Sequence, residues 1–438
     1  MVSEEKVTER AVTVYEDKSD RFKQIKKDYS RQFCHLYSAR LKLMRDNVLK
    51  EVHRKYGDKF SIKKLSEIRD SDEGKIILIG TLFKHQELKP SILKEVSEEN
   101  KLIPLPIRFN FVDDEDILIL EDELNRIRLV GDIDIHKFAT GVVCAVLGRQ
   151  CTDGKFLMDA IIFPYCDIPK PLTSYKKDAT PMILLMSGIS LFSLDDNLLS
   201  LHILKDWLAG HIGDNRMTSI VRIIIAGNSI KGHAETKQKN VEYKQKNSEN
   251  IDNDIKIIQN LDDFLEGICS TVTVDIMAGE FDPSNHMLPQ QPLHHCLFPK
   301  AYATGSLNAV TNPYHFKIDG LSLLGSSGQP IHSLLAYTKM ESPLEAIRNT
   351  LEWRHMAPTA PDTLPCYPYV EKDPFIIEEL PSIYFAGNCA EFDTSLYEDN
   401  SGEKVRLVCV PEFYKTQSVV LVELKSLDCF PISFAIGS

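Results

Sequence analysis

The sequence predicts a mixed α+β protein: an N-terminal helix, then a small closed β-barrel, then a layered α/β sandwich. Three observations predict it. Apolar residues near the N-terminus recur at steps of three and four. Five short strand-like runs crowd residues 61–170. Beyond residue 171, β-branched runs alternate with a stretch of helical spacing. A chain of 438 residues is long enough for two or three domains with sizeable cores.

The first segment is residues 1–60. Phe22, Ile25, Tyr29, Phe33, Leu36, Tyr37, Leu41, Met44, Val48 and Val52 share one helical face. Asp20 is the candidate N-cap, and "KYGDKFS" closes the pattern. A stripe with this many aromatics must pack, either on its own domain or on a partner.

The second segment is residues 61–170. "KIILIGTLF", "DILILEDEL", "RIRLVGDID", "GVVCAVLGRQ" and "KFLMDAIIFP" are strand candidates bounded by Gly, Asn and Asp. "QELKPSILKEVSEEN" reads as a short helical excursion, and "GRQCTDGK" as a hairpin turn with Asp153-Gly154 at its tip. Five such strands suit a small closed barrel of the OB-fold type. OB-folds often bind single strands by stacking bases over basic grooves. Here "DDED" and "EDE" lie in and beside the second strand, which points instead to a solvated acidic face or a protein-docking surface.

The third segment is residues 171–438. "PMILLMSGISLF", "DNLLSLHILKDWLAG" and "VRIIIAGNSI" form a β-α-β pattern. "STVTVDIMAG", "FKIDGLSLLGSSG", "SIYFAGN", "VRLVCVPEF" and "QSVVLVELKSL" continue it, and the mixture predicts a layered α/β sandwich. Residues 231–252, "KGHAETKQKNVEYKQKNSENID", are polar and poor in aliphatics, and read as a disordered insertion.

Composition removes several classes. Ten scattered cysteines, without a CxxC, point to buried reduced thiols rather than a disulfide framework or a structural zinc site. No run approaches the ~18–20 apolar residues of a membrane span, and the charged N-terminus lacks a signal-peptide core. No membrane association is expected. The net charge is −12 and uneven: residues 1–60 carry 15 Lys/Arg against 10 Asp/Glu, the remainder 36 against 53. Such a body repels phosphate backbones, so any grip on nucleic acid is expected from another chain.

The chemistry-bearing positions sit at strand ends, where open α/β sheets place ligands. Four ends are Ser187-Gly188-Ile189-Ser190, Ala226-Gly227-Asn228-Ser229, Ala278-Gly279-Glu280-Phe281-Asp282 and Ala386-Gly387-Asn388-Cys389-Ala390. Their succession matches the calcineurin-like metallophosphoesterase plan. There the ends supply Asp-x-His, Gly-Asp, Gly-Asn-His-Asp and Gly-His-x-His to two divalent metals that activate water. In this chain Gly188 and Ser190 replace the first Asp and His. Asn228 replaces the bridging Asp. Glu280 and Phe281 replace the third Asn and His, with Asp282 retained, and Asn388 and Ala390 replace the last two His. Too few ligands remain for two metals. The expectation is an inactivated domain with no catalytic residue, no bound metal and no cofactor, in which Asp282-Pro283 sets the turn after a strand. His294-His295, His315, His332 and His355 read as surface or satisfied core histidines. "LLGSSGQP" lacks both the nucleophile-elbow spacing and a Walker Lys, and reads as a turn.

Long strings carry a resemblance from about residue 20 onward: "IGTLFKHQELKPSILKEVSEEN", "LEDELNRIRLVGDID", "AGEFDPSNHMLPQQPLHHCLFP", "TNPYHF", "LEWRHMAPTAPDTLPCYPY" and "KTQSVVLVELKSLDCFPISF". In these the chain resembles the small (B) subunits of the replicative DNA polymerases alpha, delta and epsilon, and within them the delta branch. The resemblance implies an OB-fold barrel (61–170) and an inactive phosphoesterase-like domain (171–438) in a non-catalytic nuclear scaffold for DNA replication and repair. Implied partners are the C-terminal metal-binding domain of the DNA polymerase delta catalytic subunit and the third accessory subunit. A small fourth subunit is a further candidate, and the link to the sliding clamp and DNA is indirect. Two alternatives stand beside it: a divergent active phosphodiesterase or 3′–5′ nuclease, and a single-stranded DNA-binding OB protein.

Overall fold

The computed structural model describes residues 10–24, 28–68, 74–90, 108–165, 181–191, 198–213, 215–230, 248–399 and 402–435. The chain divides into two compact units that interleave in sequence. One takes Met1–Lys26, Pro169–Gln329 and Pro381–Ser438; the other takes Lys27–Ile168 and Pro330–Leu380.

In the second unit five strands close a ring. Ile76–His85 pairs with Ile117–Glu121, which pairs with Arg126–Val130. That strand runs parallel to Phe156–Ile162, followed by Val143–Gln150, which returns to Ile76–His85. All five fall in the runs picked out by period-two patterning, and closure leaves no free edge among them. The turn after Gln150 has Gly154 at φ 77°, with the Cys151 N–H donating to the Lys155 carbonyl at 2.8 Å. A helix, Cys34–Tyr56, lays Leu41, Met44, Val48 and Val52 on Ile77, Ile79, Val143 and Ala145 of the barrel. Their spacing of three and four makes one apolar stripe, and truncating a fully buried member such as Met44 to Ala would cost ~2–5 kcal/mol.

Residues 330–380 join this barrel unit, not the sandwich expected for 171–438. A buried charge ties this segment to the helix. Arg40, on the helix, reaches Asp373 Oδ2 at 2.6 Å and donates to the carbonyls of Gly141, Pro358 and Ala360. His355 Nε2 lies 3.0 Å from the same carboxylate oxygen. No local pattern announces a pairing across 333 positions.

The other unit holds two six-stranded sheets. One runs Leu307–Val310, Thr273–Met277, Ile220–Ala226, Met182–Met186, Ser418–Glu423, Cys429–Ser433, its first four strands parallel. The other runs Tyr15–Asp17, Tyr314–Ile318, Leu321–Ser326, Ile383–Cys389, Lys404–Pro411, Asp393–Glu398. Alternate residues of the first sheet serve two cores. Ile183, Leu185, Ile224 and Met277 meet Phe316, Leu323, Phe385 and Val408 of the second sheet. Leu184, Met186, Ile223 and Val274 face the helices Leu198–Leu208 and Ser248–Cys269. Strands buried on both faces must be apolar throughout, which explains the near-continuous β-branched runs.

Three expectations change. Asp20 caps no long helix: Ser19–Phe22 is one short 3₁₀ turn, and the long helix starts at Cys34. Ahead of the predicted stripe, Tyr15–Asp17 pairs antiparallel with Tyr314–Ile318; at its start the Phe22 carbonyl accepts from Gln291 Nε2 at 3.1 Å, and Tyr29 and Phe33 are exposed. Residues 1–60 are therefore no single segment but are shared between the two units. Of the insertion placed at 231–252, residues 231–247 lie outside the described residues, and 248–252 open the helix Ser248–Cys269. Its apolar repeat, Ile257, Leu261, Phe264, Leu265 and Ile268, begins only after the polar stretch ends. Of the helical excursion, 91–100 lie outside the described residues.

Candidate functional site

The strand-end loops of the sandwich unit converge and bond directly to one another. The Gly188 N–H donates to the Gly227 carbonyl at 2.9 Å, and the Ser190 N–H to the Asn228 carbonyl at 2.9 Å. Asn388 Nδ2 donates to the Ala226 carbonyl at 3.1 Å and to the Ser327 carbonyl at 2.7 Å, tying the ends of both sheets. Its own N–H donates to Ser187 Oγ at 2.8 Å. Asn228 Oδ1 accepts the Phe281 N–H at 3.2 Å.

Asp282 is buried and spends both oxygens on backbone. Oδ1 accepts the Ile230 N–H at 2.9 Å and Oδ2 the Gly279 N–H at 2.8 Å. Burial pushes its carboxyl above the ordinary range, opposed by the backbone N–H groups of Ile230, Gly279, Ser229 and Asn228. Ser190, Asn228 and Asn388 all sit at positive φ, 49°, 54° and 55°. Left-handed non-glycine residues persist where neighbours over-determine them, and here three do so together.

The structure thus brings together Gly188, Ser190, Asn228, Phe281, Asp282 and Asn388, while Glu280 and Ala390, in the same loops, are exposed. These residues do not fit a two-metal centre. A Cβ on Gly188 would stand 2.8 Å from Asn388 Oδ1, and one on Gly279 2.3 Å from Asn228 Oδ1. The volume a ligating side chain would cross is filled by amides. Of the eight positions only Glu280 and Asp282 ionise, one facing solvent and the other committed to backbone.

Two family models match the chain. Residues 32–161 match the OB-fold domain of the DNA polymerase delta subunit, and residues 183–394 match the B-type subunit of DNA polymerases alpha and epsilon. A Drosophila melanogaster protein, DNA polymerase delta subunit 2, is 44% identical over 433 residues, covering 99% of this chain and 100% of the relative. This chain belongs to the DNA polymerase delta small-subunit family. The small subunit of Oryza sativa subsp. japonica is 37% identical over 98% of the chain and 99% of its own length. That of Saccharomyces cerevisiae is 32% identical over 92% and 89%.

In this member of the delta small-subunit family, ligand-by-ligand reading misses a second layer. Asn312 Nδ2 donates within the group Gln290 Oε1 (2.8 Å), Ser327 Oγ (2.7 Å) and Gln329 Oε1 (2.9 Å). Gln290 Nε2 returns to the Gly279 carbonyl at 2.9 Å. The strings "TNPYHF" and "LPQQPL" carried the signal for Asn312 and Gln290, but only as unusual words. Polar residues buried to 1% or less must be bonded, and here they bond to each other beneath the loops.

The other histidines singled out from the sequence are surface or bonded residues, with His332 exposed on the helix Gln329–Tyr337. His315 Nε2 meets Ser322 Oγ at 2.9 Å, and His355 belongs to the Arg40 network. His294, His295 and Cys296 are exposed with ligand atoms within 4.8 Å of one another, but His294 Nδ1 accepts the Cys296 N–H. Among the described residues no helix is long and apolar enough to cross a membrane.

Proposed function

We propose that this chain is a non-catalytic accessory subunit of the DNA polymerase delta complex, acting in DNA replication and repair in the nucleus. It would bridge the C-terminal domain of the catalytic subunit and a third accessory subunit. Its sandwich unit is read as a phosphoesterase-like domain whose active site has been closed. The observation that carries the reading is the neutral amide seal, in which Asn388 and Asn228 bond to backbone where two metals would need carboxylates and imidazoles. A fold retained without its chemistry is free to serve as a surface.

The electrostatics support it. A body of net charge −12 repels phosphate but attracts basic protein segments, and such complementarity raises association rates and fixes register. Two experiments test the reading. The tagged chain expressed in cells should co-purify with a polymerase catalytic subunit. The purified chain with Mn²⁺ should hydrolyse no phosphodiester. Turnover abolished by Asp282→Ala would revive a nuclease. Salt-sensitive, sub-micromolar binding of single-stranded DNA to the purified chain would revive a DNA-binding barrel.

A further inference from the structure

The barrel unit contains a cleft of about 380 Å³ between the N-terminal end of the helix Cys34–Tyr56 and the strands Ile76–His85 and Ile117–Glu121. Its floor is apolar, with Tyr37, Leu41, Leu82 and Phe83. Its rim is acidic: Glu121, Asp122, Glu123 and Asp362 stand against one lining cation, Arg126, and Asp362 is paired with Lys89. We propose that this cleft docks a short lysine- or arginine-rich peptide segment of a protein partner, seating one aliphatic or aromatic side chain on the floor. The inference rests on the reading of the chain as a docking subunit.

Three features favour that occupant. The first is charge: with Asp362 paired to Lys89, the three carboxylates Glu121, Asp122 and Glu123 face the single lining cation Arg126, an excess of negative charge that attracts a cationic peptide and repels nucleic acid or a phosphorylated ligand. Arg126 pairs loosely with Glu121 at 3.5 Å and is mostly exposed, so it can swing aside for an incoming cation. The second is preorganisation. Asp122 Oδ1 accepts the N–H groups of Leu124 (2.9 Å) and Asn125 (2.8 Å), locking the hairpin tip. The locked tip holds Leu124 86% exposed beside the rim. A locked backbone carrying an apolar side chain in water contributes to association at little backbone ordering cost. The third is Phe33, 44% exposed and next in sequence to Cys34, which lines the cleft. An apolar floor, an acidic rim and exposed apolar residues flanking the lining match the hydrophobic-centre, polar-rim plan of protein interfaces.

The test uses the full chain and a fluorescein-labelled peptide of alternating lysine and leucine, read by anisotropy. Binding should weaken at least tenfold in Glu121→Lys/Glu123→Lys and several-fold in Leu124→Ser, whose side chain is solvent-facing and dispensable for folding. The control, Glu398→Lys/Glu403→Lys on the other unit, should bind as wild type. A matched glutamate–leucine peptide should not bind. A second readout is thiol labelling: Cys34 and Cys296 are both exposed, and the peptide should slow maleimide labelling of Cys34 alone. Equal weakening by the control reversal, or unchanged Cys34 labelling with peptide bound, overturns the proposal. The same labelling applies to the complex purified from cells. No complex at all counts against the scaffold reading. A complex in which Cys34 reacts freely and Glu121→Lys/Glu123→Lys co-purifies normally counts against the cleft alone.

Discussion

Gly188 and Asn388 exclude side chains from each other's space: a Cβ added to Gly188 would lie 2.8 Å from Asn388 Oδ1, while Asn388 Nδ2 already bonds two carbonyls. A carboxylate placed at Gly188 would therefore have to displace Asn388. Gly188→Asp should lower the urea midpoint by the equivalent of ~1–3 kcal/mol, from overpacking and from φ +60° at a residue that gains a side chain. It should bring no Mn²⁺-dependent phosphodiesterase activity. A stable, active variant would show that the loops open.

Divalent ions should leave stability unchanged. A genuine site at a hundredfold excess over its Kd would add ~2.7 kcal/mol. Thermal unfolding with Mn²⁺, Mg²⁺ or EDTA should give coincident curves, since both Asp282 oxygens are taken by backbone. Replacing that carboxylate, by contrast, strands buried N–H groups. Asp282→Ala should cost ~2–6 kcal/mol in chemical denaturation, at ~1–3 kcal/mol for each of the two orphaned groups.

Arg40 should be the most sensitive position in the barrel unit. Arg40→Ala leaves Asp373 buried beside His355 and frees three carbonyls, so a loss of ~3–5 kcal/mol is expected. A double-mutant cycle with Asp373→Asn, read by urea unfolding, should return a coupling of ~0.5–3 kcal/mol. Strict additivity would mean that the carbonyls, not the ion pair, carry the effect.

His315 gives a pH dependence with a defined sign. Burial, with Arg21, Lys317 and Lys18 nearby and Asp17 opposing, pushes its imidazole down to about 3. The unfolded chain, with an ordinary histidine near ~6.5, takes the proton first. The stability His315 supplies is complete above the unfolded value and drains as pH falls from there towards about 3, by at most ~1.4 kcal/mol per pH unit. His315→Gln should flatten the decline of the unfolding free energy across that window. A parallel curve would remove His315 as its source.

Legibility followed the range of the interactions. The five barrel strands and the Met182–Met186, Leu198–Leu208, Ile220–Ala226 unit were visible because period and punctuation are local. The positions Gly188, Asn228 and Asn388 could be picked out because strand ends and their small or amide side chains are read locally. What fills their space could not: Asn388 bonds Ala226 across 162 positions, and the Asn312–Gln290 layer beneath has no period. The same blindness misplaced the start of the first helix: Phe22, in the stretch read as its first turn, has its carbonyl bonded by Gln291, 269 positions away.

The interleaving of the two units has a consequence for how the chain is born. Helix and barrel strands emerge from the ribosome early, yet Asp373, the counter-ion of Arg40, belongs to a segment made some 200 residues later. At ~5–20 residues per second, Arg40 waits roughly 10–40 s or more for its partner after residue 168 appears. Tyr15 and Arg10 wait as well: Arg10 is held by the carbonyls of Leu208, Met217 and Ile220, and Tyr15 by Tyr314 and Ile318. Neither unit is finished until the chain is nearly complete. Termination before Asp373 therefore yields no half-protein with one sound module, only nascent polypeptide with an uncompensated guanidinium at its heart.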